Sequence, residues 1–181
     1  MGAAPSPSRY SGTAIALHWV LAVGIAGSFA VGLYMTGLPV SPLRLRLYNW
    51  HKWAGMAVLA LTLWRLLEHL AHRAPADPPM AAWQRRAAHF THHALVVLSV
   101  VVPVTGWAYS SAAGFPVVVF GVLPLPDLLP ADRALAARVQ PWHAVLSWAM
   151  AALVIAHVAG ALKHHFVDRD RLLARMWPSG A

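Results

Sequence analysis

Apolar positions along the chain gather into four long runs, near residues 13–36, 50–70, 88–110 and 142–162, with polar, proline- and glycine-rich breaks between them. Each run is about 20 residues or more, which at 1.5 Å per residue is enough for a helix to cross a ~30 Å hydrocarbon layer. The breaks are marked in the ways that end helices. Gly37 and Pro39 follow the first run, Pro75, Pro78 and Pro79 the second, and Gly114 and Pro116 the third. Pro141 stands just before the fourth, where a proline at the first helical position is expected. The first run is too long for the core of a secretion signal, contains His18, and lacks a small-x-small cleavage site after it, so it reads as a retained span. The pattern predicts an all-α integral membrane four-helix bundle, up-down-up-down, forming one domain over residues 1–181. The longest connection, Ala112 to Gln140, carries the stretch from Phe115 to Pro124, too short and too broken to span; it is expected to lie at the outer interface as a cap.

Composition agrees with a membrane setting. Apolar residues make up 59% and charged residues 11%, against about 25% charged in an ordinary soluble domain. The chain has no cysteine, which removes disulfides, zinc–thiolate sites, iron–sulfur clusters and thiol-attached haem. The net charge of +8 comes from scattered loop ends rather than one basic face with stacking aromatics, so nucleic acid is not the partner. With four spans, Arg9, Arg65, Arg73, Arg85, Arg86, Lys163, Arg169, Arg171 and Arg175 fall on the side of the termini, and Arg44, Arg46, Lys52, Arg133 and Arg138 on the other. The excess on the terminal side predicts cytoplasmic termini. Tyr48, Trp50, Trp53, Trp107, Tyr109 and Trp142 sit near span ends, where aromatic rings favour the headgroup level.

Eleven histidines then change the picture. An ionisable group inside hydrocarbon is costly, and the default reading is functional. His143 and His157 are 14 residues apart in the fourth run, which is roughly 40° short of four turns with a rise of about 21 Å. One helix therefore offers an imidazole near each membrane surface from nearly one face. His51, in the first turn of the second span, matches the height of His143. His18 and His157 lie at similar depths, roughly 8–9 Å inside the inner boundary. The predicted pairs are His51 with His143 outside and His18 with His157 inside. Four residues beyond each stand Ala22, Gly55, Ser147 and Ala161, all small and on the ligand's own face, which leaves room for a flat ring; small residues also serve close helix packing. His92 and His164 remain alternatives at the inner site. His92 could equally bond a propionate or a quinone oxygen, and His164 is closer to water.

Zinc wants four tetrahedral ligands, commonly with thiolate or carboxylate among them, and Glu68 is the one acid in the spans. Two imidazoles at each depth suit a six-coordinate haem iron, which has no open position for oxygen and so serves electron transfer. Arg44, Arg46 and Lys52 are placed to neutralise propionates outside, Lys52 alternatively to meet headgroups, and Arg65 to hold a propionate inside or to snorkel.

These residues resemble the bacterial cytochrome b561 family over nearly the whole chain, from Arg9-Tyr10 to Met176-Trp177-Pro178. The motifs are Leu17-His18-Trp19, Trp50-His51-Lys52 with Gly55 and Trp64-Arg65, Ala88-His89 with Pro103 and Gly106, Phe120-Gly121, Trp142-His143, and His157 followed by Lys163-His164-His165. The resemblance implies two non-covalent haem b groups with ligands at His18, His51, His143 and His157, a place in the bacterial inner membrane, and electron exchange with a membrane quinone, ubiquinone being the expected substrate. Some members resemble superoxide oxidases, and the basic cluster of Arg44, Arg46 and Lys52 would steer such an anion; a redox protein is the other candidate partner. Alternatives are a haem b subunit of a larger complex such as a hydrogenase, a histidine-lined proton or metal carrier, and a haem-free assembly subunit. A spectrum of the membrane fraction separates the haem readings from the other two.

Overall fold

The computed structural model describes residues 9–72, 75–170 and 172–177. Arg73, Arg171 and Pro178, all used in the sequence reading, lie outside the described residues. Four helices carry the chain: α1 (Gly12–Thr36), α2 (Pro42–Ala71), α3 (Ala82–Ala112) and α4 (Arg133–Lys163). Each is long and apolar enough to cross a membrane. Successive helices run antiparallel, as cross-contacts along α1 and α2 show: Ser11 meets Glu68, Gly24 faces Val58, and Gly32 faces His51. The two chain ends meet at one end of the bundle, where the Arg9 guanidinium donates to the Trp177 carbonyl at 2.7 Å. We call this the terminal end and the opposite one the cap end.

Three helices start earlier than the apolar runs predict. At α2 the side chain of Ser41 accepts from Arg44 N at 3.3 Å and Pro42 takes the first helical position, so the helix gains two turns carrying Arg44 and Arg46. The α3 start at Ala82 is held by Gln84 Oε1, which accepts from Ala81 N at 3.1 Å. Asp132 caps α4 by accepting from Leu135 N at 3.0 Å. Pro141 therefore does not open the fourth helix; it lies inside it, and the Ala137 carbonyl loses its usual helical donor. Hydropathy marks where charge begins, whereas a helix begins where its first amides find an acceptor.

Burial is arranged for lipid. Large apolar side chains such as Val23, Leu67, Phe90, Val97 and Ile155 face outward, while the packed positions include small or polar residues: Thr62, Ser99, Ser110, Ser111 and Ala112. Without a hydrophobic drive between helices in lipid, close backbone approach and interhelical hydrogen bonds hold such a bundle.

The cap is a two-stranded hairpin, β1 (Val118–Val119) against β2 (Leu123–Pro124). Val122 N donates to Val119 O across Phe120 and Gly121, both at positive φ (52° and 74°), which makes a type I′ turn. It docks on α2, where Trp53 Nε1 donates to Val118 O at 2.7 Å and Lys52 Nζ to Pro116 O at 3.1 Å. At the other end α4 continues as a π-type turn over His164–Asp168. The tail then folds back: Trp19 Nε1 donates to Met176 O at 2.7 Å and Arg175 to Ala76 O at 2.6 Å.

Candidate functional site: histidine pairs at both ends of the bundle

At the cap end His51 of α2 and His143 of α4 face one another, ring centroids 6.2 Å apart and planes crossed at 84°. With the early helix starts, His51 lies nine residues after Pro42 and His143 ten after Arg133, rather than in a first turn. Both shift together, so their heights still match.

Each ring is aimed by the neighbouring helix. His51 Nδ1 lies 3.0 Å from the Ser28 carbonyl and 3.2 Å from Ser28 Oγ on α1. His143 Nδ1 lies 3.1 Å from the Val102 carbonyl and 3.3 Å from Thr105 Oγ1 on α3. A carbonyl only accepts, so in both rings Nδ1 carries the proton and donates, leaving the Nε2 lone pair for a metal. Such a hydrogen bond from the far nitrogen fixes tautomer and ring angle in metal-ligating histidines. Both approaches depend on a glycine one helical turn past the carbonyl. A Cβ at Gly32 would stand 3.2 Å from His51 Cε1, and one at Gly106 only 2.9 Å from His143 Cε1. The sequence pointed to Gly106 within the resemblance but not to its role, and to none of Gly32, Ser28, Val102 or Thr105. The signal is a glycine four residues after the accepting carbonyl, with a hydroxyl on the accepting residue itself (Ser28) or three residues on (Thr105), legible only once the helix partners are known.

At the terminal end His18 and His157 repeat the spacing, with centroids 6.1 Å apart and planes at 68°. His18 lies six residues after the start of α1 and His157 six before the end of α4. The second shell differs from the cap end: His18 Nδ1 lies 3.0 Å from the Arg65 guanidinium, which only donates. His92 is a third imidazole here, 5.2 Å from the His157 ring. Two imidazoles on opposite sides of one metal, each nitrogen about 2 Å from it, put their centroids about 6 Å apart. The His51–His143 and His18–His157 spacings fit that requirement; the His92–His157 spacing is shorter.

The other histidines sit at helix ends with local partners. His164, nearly in line with His157 by sequence, has its Nδ1 2.7 Å from Asp170 and 3.1 Å from Asp168. His89 pairs with Asp77 at 3.0 Å and His72 with Glu68 at 3.1 Å; His165 meets Phe166 edge-to-face. Lys52 is held by the cap carbonyls of Phe115 and Pro116 rather than pointing at the imidazoles. Arg44 lies over the Tyr48 ring at 5.5 Å, and Arg46 is exposed. A Cβ at Gly55 would meet nothing within 4 Å, so there is open space one turn beyond His51.

Four membrane-length helices with an imidazole pair at each end have the form of a membrane-embedded cytochrome of the b type. The chain belongs to the prokaryotic cytochrome b561 family, whose model matches residues 9–179. It is similar to Cytochrome b561 homolog 2 of Escherichia coli K12, 33% identical over 182 residues that cover 94% of this chain and 92% of that protein. It is also similar to Cytochrome b561 homolog 1 of the same strain, 30% identical over 178 residues covering 94% and 98%. A protein of Yersinia pestis named "Probable superoxide oxidase CybB" is 25% identical over 171 residues, covering 94% and 96%. Members of this family bind haem b and work in electron transport, and the chain is accordingly a multi-pass bacterial membrane protein of that class.

Proposed function

We propose that the chain is a di-haem electron-transfer cytochrome of the bacterial inner membrane that carries electrons from a donor at the cap end to quinone, with ubiquinone the acceptor and superoxide the donor. In this reading it is a superoxide:quinone oxidoreductase with cytoplasmic termini. His51 and His143 hold one haem b at the cap end; His18 and His157 hold the second at the terminal end. When bound, the haems supply reversible one-electron transfer across the bundle. The repeated centroid spacing of 6.1 and 6.2 Å at the two ends is the observation that carries this reading.

The chain's own residues supply the rest. The Ser28 and Val102 carbonyls hold the cap-end rings with Nε2 free for metal. Gly55 leaves space beside His51 for a flat ring. Arg65 is positioned to exchange His18 Nδ1 for a propionate carboxylate, a stronger partner for a guanidinium than a neutral ring nitrogen. Arg44, Arg46, Lys52, Arg133 and Arg138 give the cap end a positive field that draws a small anion. Support for superoxide comes from that field and from the name of the Yersinia relative.

The test is a haem count joined to stopped-flow. The purified protein should bind about two b haems, and superoxide should reduce them and yield quinol when a short-chain ubiquinone is present. A colourless protein would refute the cytochrome reading; a red protein inert to superoxide would refute the donor.

A further inference from the structure

At the terminal end a small cavity, partly open to the surrounding water, is lined by Tyr10, Ser11, Arg65, Glu68, His72 and Met176 among others. The electron-transfer route uses none of these residues except Arg65. Glu68 is the one acidic residue within the apolar runs, and its side chain is only 12% exposed. Its Oε1 accepts from Ser11 Oγ at 2.6 Å and lies 3.1 Å from His72 Nδ1, while the His72 side chain is 61% exposed to solvent. The inner wall of the same cavity is Arg65, which reaches His18 at 3.0 Å. A solvent-facing imidazole and a nearly buried carboxyl thus line one cavity open to the terminal-end water, and the same cavity is lined by Arg65, the side chain that reaches the terminal-end histidine pair. An ionisable group within a membrane-spanning run reads as functional by default.

We propose that this cavity is the proton inlet for quinone reduction, with His72 taking protons from the terminal-side water and Glu68 passing them inward. The inference rests on the quinone-reducing reading above. The chemistry balances: a quinone takes two electrons, one from each of two superoxide anions that leave as dioxygen, and two protons that enter past Glu68, giving one quinol. Tyr10 and Ser11 just before α1, Arg65 and His69 of α2, and His72 just after it are the polar and charged side chains that line the carboxyl's cavity.

Glu68 could instead be a tie that fastens the start of α1 to the end of α2 through Ser11. Two substitutions separate the roles. Glu68→Gln keeps an oxygen for the Ser11 hydroxyl but carries no exchangeable acid proton. Glu68→Asp keeps the proton but is a methylene too short for the 2.6 Å contact. The experiment uses the haem-loaded protein in vesicles with the terminal end facing the lumen, a pH dye on each side, superoxide generated outside and a short-chain ubiquinone in the bilayer. The wild type should consume lumenal protons at one per electron. Glu68→Gln should slow quinol formation and lumenal proton loss by about 100-fold, the scale of a lost acid–base group, while the haems still become reduced at the wild-type rate. Glu68→Asp should stand closer to the wild type. The reverse order, with Glu68→Asp the more damaged, would make Glu68 a tie and overturn the inlet, as would unchanged proton uptake in Glu68→Gln or proton loss on the cap side. A wild type whose haems are reduced without any quinol would instead remove the underlying function, and the inlet with it.

Discussion

Two missing side chains, at Gly32 and Gly106, decide whether the cap-end imidazoles can reach the carbonyls that orient them. In Gly106→Ala the new methyl would lie 2.9 Å from His143 Cε1 and 3.2 Å from Nδ1, inside contact distance, and that Nδ1 is the atom held by the Val102 carbonyl. The ring must move, so on the proposed di-haem reading this substitution should empty the cap-end site and halve the ratio of haem to protein in a pyridine haemochrome assay. Gly32→Ala, at 3.2 Å, should be milder, weakening retention without abolishing it. A second expectation concerns the ring planes, crossed at 84° and 68°. On the proposed di-haem reading, imidazoles crossed in this way would leave an iron's lower d orbitals nearly degenerate, so each ferric centre should give a strongly anisotropic low-spin EPR signal. Rhombic signals typical of parallel rings would contradict these orientations. The four paired histidines were legible in the sequence because helix arithmetic fixes height and face from spacing alone. The orienting carbonyls were not, since any backbone oxygen looks alike until its neighbour across the helix pair is known. Arg65 contacting His18 and His164 turning to Asp170 were hidden for the same reason.

The early helix starts show what apolar length cannot say about an element. Runs of apolar residues gave the number and spacing of the spans, but α2 and α4 extend two or more turns past them into charged sequence. Ser41 and Asp132 were readable as caps, yet Arg44, Arg46, Arg133 and Arg138 in the following turns mask the apolar signal, and Pro141 mimics a start. Removing the cap in Asp132→Ala should cost about 1 kcal/mol and lower the apparent melting temperature in detergent. Haem content should stay unchanged, because His143 lies eleven residues further on. The hairpin cap depends on a few contacts with α2. In Trp53→Phe the bond to Val118 O is lost, a change of about 1 kcal/mol. That loss should show as faster proteolytic cutting within residues 114–130 while the spans stay intact.

For the whole molecule the main expectation is independence of the two ends. His143→Ala should remove the cap-end haem alone and His18→Ala the terminal-end haem alone, each leaving about one haem per chain in a redox titration; loss of both from either change would mean the pairs share one centre. Orientation is open to a direct check because the chain has no cysteine of its own. In Val122→Cys, at the exposed hairpin tip, an impermeant maleimide should label intact spheroplasts, whereas Ala174→Cys, exposed near the tail, should react only after permeabilisation. The opposite pattern would invert the topology that the positive charges predict. The folded-back tail has a practical corollary. Its seam is closed by three hydrogen bonds, from Arg9, Trp19 and Arg175, and Met176 forms one wall of the chamber beneath. A purification handle grafted directly behind Trp177 would tug on that seam and loosen the chamber, so an engineer should splice it into the hairpin tip or set it off on a long, slack spacer.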